Sequence, residues 1–159
     1  MKKKSTNTKS GRPAMSPLLR ALTYSRAARE PMTNAMLLQA YAALDALRRG
    51  HGSKPLFMAL CRHLLIAEEL GQLGHVTDHA DDITAAYEAL VELDERHTGT
   101  GEWTLDDAAH ANLCDALAIY ADQLEDATLE HIAQAEARMV TQSLVAANLR
   151  HEAKHEELA

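Results

Sequence analysis

Helix breakers are confined to a few places in this chain, and that confinement dictates its layout. All four prolines lie at or before Pro55, and six of the seven glycines form the pairs Gly50/Gly52, Gly71/Gly74 and Gly99/Gly101. Between those pairs only Pro55 could interrupt a helix, and it falls in an opening turn, where a missing N–H costs nothing. Glycine ends a helix cheaply because it enters left-handed backbone without a Cβ clash. The spacing predicts helices at about 33–49, 54–70, 78–96, 104–126 and 128–150, and the stretch from 104 to 150 can be read as two helices or as one.

Each segment carries an apolar stripe at helical spacing. The first has Leu37, Tyr41, Leu44 and Leu47, with Arg48 and Arg49 at its carbonyl end. In the second, Ser53 is the expected cap, and Leu56, Phe57, Leu60, Cys61, Leu64, Leu65, Ile66 and Leu70 cover most of the circumference, which marks this helix as the central one. The third opens on Asp78, Asp81 and Asp82 and turns Ile83, Tyr87, Leu90 and Leu93 inward. For the fourth, Thr104 is the expected cap with Asp107 at the reciprocal position and Trp103 as hydrophobic staple, ahead of Leu105, Ala109, Leu113, Leu117, Tyr120 and Leu124.

Composition agrees with helices. The chain is 47% hydrophobic but only 4% aromatic, and strands favour aromatic and β-branched residues. The expectation is one all-α domain over 31–159, a four- or five-helix antiparallel bundle or stack of helical hairpins. Its alanine-rich faces allow close approach but limit burial per residue, so a homo-oligomer, most simply a dimer, is expected. No apolar run reaches 18 residues, so no membrane association is expected.

The net charge of −7 is a difference between two unlike parts. Residues 1–30 hold eight basic side chains against Glu30, a net of +7, and the rest hold eight basic and 22 acidic residues, a net of −14. A flexible, disordered basic arm therefore precedes an acidic body. No apolar stretch follows Met1–Lys4, so a secretory signal is not read and a cytoplasmic location is expected. Cys61 and Cys114 have no CxxC partner and are expected to be buried, inert thiols.

Few motifs carry chemistry. His151-Glu152-Ala153-Lys154-His155 matches the HExxH pattern of zinc metalloproteases, where two histidines one turn apart bind Zn²⁺ and the glutamate activates water. Here it stands in a charged stretch with no later third ligand, so His151 and His155 are weak metal candidates and no catalytic residue is assigned. Asp107/His110, Asp94/His97 and His75/His79 have ligand spacing, but a di-iron set cannot be completed, and these pairs read as solvated helix faces. His63, in line with Leu56, Leu60 and Leu70, reads as a hydrogen-bonded histidine at the core's edge. Nucleophile-elbow, phosphate-loop and dinucleotide signatures are absent, so neither an enzyme nor a cofactor is expected.

Three resemblances remain. Ile66–Arg96, chiefly through Ala86-Tyr87-Glu88-Ala89-Leu90-Val91-Glu92-Leu93-Asp94, resembles one tetratricopeptide hairpin; a single copy implies a helical hairpin and not a peptide-binding array. Gly11-Arg12-Pro13 resembles the AT-hook, which implies Arg12 in the minor groove of A·T-rich DNA with Lys2, Lys3, Lys4 and Lys9 on phosphates; the alternative is a solubilising tail. Across about residues 40–140, Leu47-Arg48-Arg49-Gly50-His51-Gly52, His63–Leu70, Gly74, Ala86–Leu90 and Thr100-Gly101-Glu102-Trp103-Thr104-Leu105 resemble short all-helical proteobacterial proteins labelled uncharacterised or Fis-like regulators. A Fis-type basic recognition helix would lie near the C-terminus, where only Arg138, Arg150 and Lys154 stand, so any DNA contact is assigned to the arm. The expected function is a non-enzymatic regulator or adaptor acting by self-association, with DNA touched through the arm. The alternatives are a protein–protein interaction module without a nucleic-acid role and a zinc-binding protein or metallohydrolase.

Overall fold

The structure, a computed structural model, describes residues 26–156, with side chains described from 29 to 143. Lys2, Lys3, Lys4, Lys9 and Arg12, and with them the expected disordered arm, lie outside the described residues. Among those residues there are five α-helices and one short 3-10 turn: α1 (Arg26–Arg48), α2 (Lys54–Gln72), the turn Thr77–His79, α3 (Ala80–Thr100), α4 (Asp107–Asp126) and α5 (Leu129–Glu156). This is the all-α helical bundle that the breaker pattern predicts. No helix of the described residues is long and apolar enough to cross a membrane.

The central place of α2 follows from its side chains. Leu60, Leu64, Ile66, Ala67 and Leu70 are fully buried, Phe57 nearly so, and the helix packs against α1, α3, α4 and α5. Small residues on its neighbours, among them Ala40 and Ala43 of α1, Ala86 and Ala89 of α3 and Ala116 of α4, let the backbones come close. Emptying Leu60 or Leu64 to alanine in such a core costs about 2–5 kcal/mol.

Helix ends differ from the predicted ones where tertiary bonds intervene. α1 begins at Arg26 and not near Thr33, so it runs across the predicted 30/31 boundary with Pro31 inside it. Its start is tied down by Arg29, whose Nη2 donates to the carbonyls of Leu124, at 3.1 Å, and Glu125. The predicted stop of α3 near Arg96 moves to Gly101, which takes left-handed backbone at φ 78° and bonds back to His97 O, while the Thr98 and Thr100 hydroxyls carry the last turn. Thr104 does not cap α4. Its carbonyl accepts from Arg96 Nη1 and Leu105 N–H bonds to Leu47 O, so the cap passes to Asp106, which accepts from Ala109 N–H at 2.8 Å. Extended backbone at Ala127 (ψ 146°) separates α4 from α5, and Thr128 Oγ1 accepts from His131 N–H at 3.2 Å, so residues 104–150 are two helices. Ser53 has cap backbone, but its side chain makes no cap bond.

Trp103 is a wedge and not the predicted staple. Its ring stacks between His97 of α3, 3.8 Å between centroids, and Phe57 of α2, at 4.6 Å. It can sit there because Gly52 has no side chain: a Cβ would stand 2.4 Å from Trp103 O and 2.7 Å from Leu47 Cδ2. Arg48 and Arg96 clamp the same loop from two sides, onto Leu105 O and Asp107 and onto Thr104 O and Asp106. Gly52→Ala is therefore expected to lower unfolding free energy in urea by about 1–3 kcal/mol through overpacking. Gly99→Ala, whose Cβ would meet nothing within 4 Å, should be neutral or stabilising by up to about 1 kcal/mol.

Candidate functional site

An apolar groove runs along the seam between α2 and α5. α5 presses Ile132, Ala135 and Met139 inward, all buried. Three polar ties line the seam. Arg62 of α2 pairs with Glu136 of α5 at 2.9 Å. Glu69, only 2% exposed, accepts from Gln142 Nε2, and Arg138 stands 3.7 Å from its Oε2, too far for a hydrogen bond. The third tie is the corner where α5 begins. Beside the seam a groove of about 570 Å³ opens between Pro55, Met58 and Leu65 of α2 and Met139 and Val140 of α5. Met58 and Val140 are large apolar side chains, 54% and 50% exposed, that share this one groove.

The corner is assembled by the end of α2. Gly74, at φ 95°, bonds back to Gly71 O while His75 N–H reaches Leu70 O, both at 3.0 Å, so the open carbonyls are satisfied and the chain leaves the helix at His75. The imidazole then meets the ends of two other helices: Nδ1 lies 2.6 Å from Asp126 Oδ2 and Nε2 lies 2.8 Å from His131 Nδ1. With neutral rings, His75 Nδ1–H donates to the carboxylate and its Nε2 accepts from His131. Among the described residues no side-chain hydroxyl or thiol is hydrogen-bonded to these three side chains, and the arrangement orients three helix ends. Spacing had paired His75 with His79 on a solvated face; that reading is corrected, since His75 is buried outside any helix and His79 turns to Asp82 at 3.0 Å.

The other predicted pairs also separate. His97 stacks on Trp103 instead of facing Asp94, and Asp107 binds Arg48 while His110 lies beside Cys114. Cys61 and Cys114 are partly and not fully buried. Burial pushes the Cys61 thiol up to about 11, helped by Asp94, and raises that of Cys114, which favours the protonated thiol in both. α5 carries His151 and His155 one helical turn apart, but their side chains fall outside those described. Among the described residues no group of three or more His, Cys, Asp or Glu is gathered to hold a metal ion.

His63 does what its place in the apolar line implies. At 2% exposed, it accepts on Nδ1 from the Tyr120 hydroxyl at 3.2 Å and donates from Nε2 to Gln39 Oε1 at 3.1 Å. Burial, then the neighbouring Arg62 charge, pushes it from 6.5 down to about 4. Between those values the unfolded chain binds the proton and the folded chain does not, so stability falls as pH falls through that window. The urea midpoint should drop between pH 6.5 and 4, and His63→Gln should remove that part of the drop; an unaltered slope in the variant would mean that His63 is not held neutral. No protein-family model, curated protein or solved structure matches this chain.

Proposed function

We propose that the protein acts by association and not by catalysis, as a regulator or adaptor made of two copies of the chain that touches DNA through the basic residues ahead of α1. The observation that carries the reading is the pair Met58 and Val140, exposed together in the groove beside the α2–α5 seam. Solitary exposed apolar residues are ordinary on a soluble protein, whereas two from different helices in one groove form a surface that gains by being covered. A second copy is the fitting occupant because α5, which forms one wall of the groove with Val140, can lie against the same helix of a partner while α2 contributes Met58 beside it. At 28 residues against 19 in α2, it is longer by about 14 Å at 1.5 Å per residue. In the sequence Leu144 follows Val140 by four residues. Two antiparallel α5 helices would each bring the same patch to the other, the self-complementary arrangement a two-fold dimer requires.

Charge assigns the nucleic-acid contact. The body after residue 30 carries −14 and repels phosphate, while Lys2, Lys3, Lys4, Lys9 and Arg12 attract it. Arg29, bonded to the end of α4, holds the first turn of α1 against the body.

Sedimentation should find a dimer at micromolar concentration, shifted to monomer by Met58→Glu or Val140→Glu with helicity unchanged; a monomeric wild type overturns the assembly. Removing residues 1–25, which leaves α1 whole, should abolish binding to A·T-rich duplex DNA in fluorescence anisotropy. Before removal, log K should fall with log salt at a slope of about −4 to −5, from ~0.9 per phosphate over five cations. Binding that survives the deletion at moderate salt overturns the role of the arm, and a stable dimer indifferent to DNA leaves a protein–protein module.

A further inference from the structure

Apart from a cavity of about 330 Å³ beside Gln123, between α2 and α3, the molecule has a groove of about 490 Å³ between the first part of α1 and the last turns of α4. This groove stands next to the point where the described chain begins, since Arg29 and Glu30 line it and α1 opens at Arg26.

Its walls are acidic and apolar. Glu30 of α1 and Asp122 and Glu125 of α4 carry the negative charge, and Leu37 and Ala121 add apolar surface. Arg29 does not neutralise these acids, because its guanidinium donates to the carbonyls of Leu124 and Glu125. Among the described side chains none of the three carboxylates is ion-paired. The apolar surface continues past the groove. Tyr41 and Leu38 follow Leu37 and Asn34 of the lining by four residues, hence on the same sides of α1, and they are 42% and 71% exposed.

What precedes α1 has the complementary chemistry. Residues 1–25 contain six basic side chains and no acid. The stretch of them nearest α1, Pro17-Leu18-Leu19-Arg20-Ala21-Leu22-Thr23-Tyr24-Ser25, is apolar with a single cation at Arg20. It is joined to the helix at Arg26, one turn ahead of Glu30, so it meets the groove at an effective concentration on the order of millimolar without any separate partner. The reach suffices. Tyr41 lies about 22 Å along α1 from Arg26, and nine extended residues span about 30 Å.

We propose that residues 17–25 turn back at the start of α1 and dock along the α1–α4 groove, with their leucines on Leu37, Leu38 and Tyr41 and with Arg20 set among Glu30, Asp122 and Glu125. The docked stretch covers exposed apolar side chains and supplies a cation to an acidic wall, the two terms that charge and burial favour at an interface. Lys2, Lys3, Lys4, Lys9 and Arg12 all stand ahead of it, so the proposal holds whether or not those residues meet DNA, and it is independent of the dimer.

The test uses the full chain. In isotopically labelled protein, NOEs should connect the methyl groups of Leu18, Leu19 or Leu22 with the Tyr41 ring, and isotope filtering of mixed labelled and unlabelled chains should show them to lie within one chain. Trypsin gives a second readout with Lys9 as internal reference. Cleavage after Arg20 should be slower than after Lys9 by about tenfold or more, because it follows the population of the undocked form. Asp122→Asn with Glu125→Gln, and separately Leu18→Ser with Leu22→Ser, should each remove most of that protection; the second pair leaves every described residue unchanged. NOEs that cross between chains assign the groove to a second copy. Equal cleavage at the two sites without NOEs, or protection undiminished in both double variants, means that the stretch does not dock, and each of these three results overturns the proposal.

Discussion

A helix that is apolar around most of its girth has to be surrounded, and α2 imposes that demand on everything else in this molecule. Four helices lie against it. The breakers that bound it, Gly50 and Gly52 on one side and Gly71 and Gly74 on the other, turn the chain back so that its neighbours in sequence become its neighbours in space. Because the cover is largely alanine and leucine, the helices sit close and the core tolerates little change of volume. The intolerance is sharpest at Gly52, where backbone meets Trp103 with no room for one more carbon.

Burial on every side also traps polar groups. His63 and Glu69 belong to α2 and are almost wholly withdrawn from water, so each dictates a partner on a facing helix: Tyr120 and Gln39 for the first, Gln142 and Arg138 for the second. A leucine zipper of similar shape could slide by a turn at small cost. These polar contacts cannot, since one turn of slippage would strand a buried carboxylate or imidazole. They fix the register of α1, α4 and α5 on α2 more than they add to net stability.

The sequence made the helices legible because their signals are local: breakers, stripes of period 3.6 and acids in first turns. It also identified α2 as central and His63 as hydrogen-bonded, since both follow from one helix's own pattern. The misreadings have a common cause, which is that bonds from distant residues decided the outcome. Thr104 is the better local cap, but Arg96 and Leu47 engage its neighbourhood first, and Asp106 takes the role. His75 and His79 are four apart, but that spacing means one face only inside a helix, and left-handed Gly74 ends the helix before His75. The cavity beside Gln123 had no local signature, because residues of α2, α3, α4 and the 3-10 turn line it together. For the residues assigned to DNA, the sequence is still the whole of the argument.

The manner in which α5 is attached bears on how the molecule breathes. Its main footing is α2, and the buried Glu69 that helps seat it gives up its hydration to do so. Lifting α5 away would return that carboxylate to water and leave α1, α3 and α4 still wrapped on the opposite sides of α2. Such an opening is a sub-global unfolding event of lower free energy than collapse of the whole. Amide protons of α5 should then exchange with solvent through a shorter-lived barrier than those of α2. An opening of that kind would let α5 exchange as one unit while the rest of the core persists.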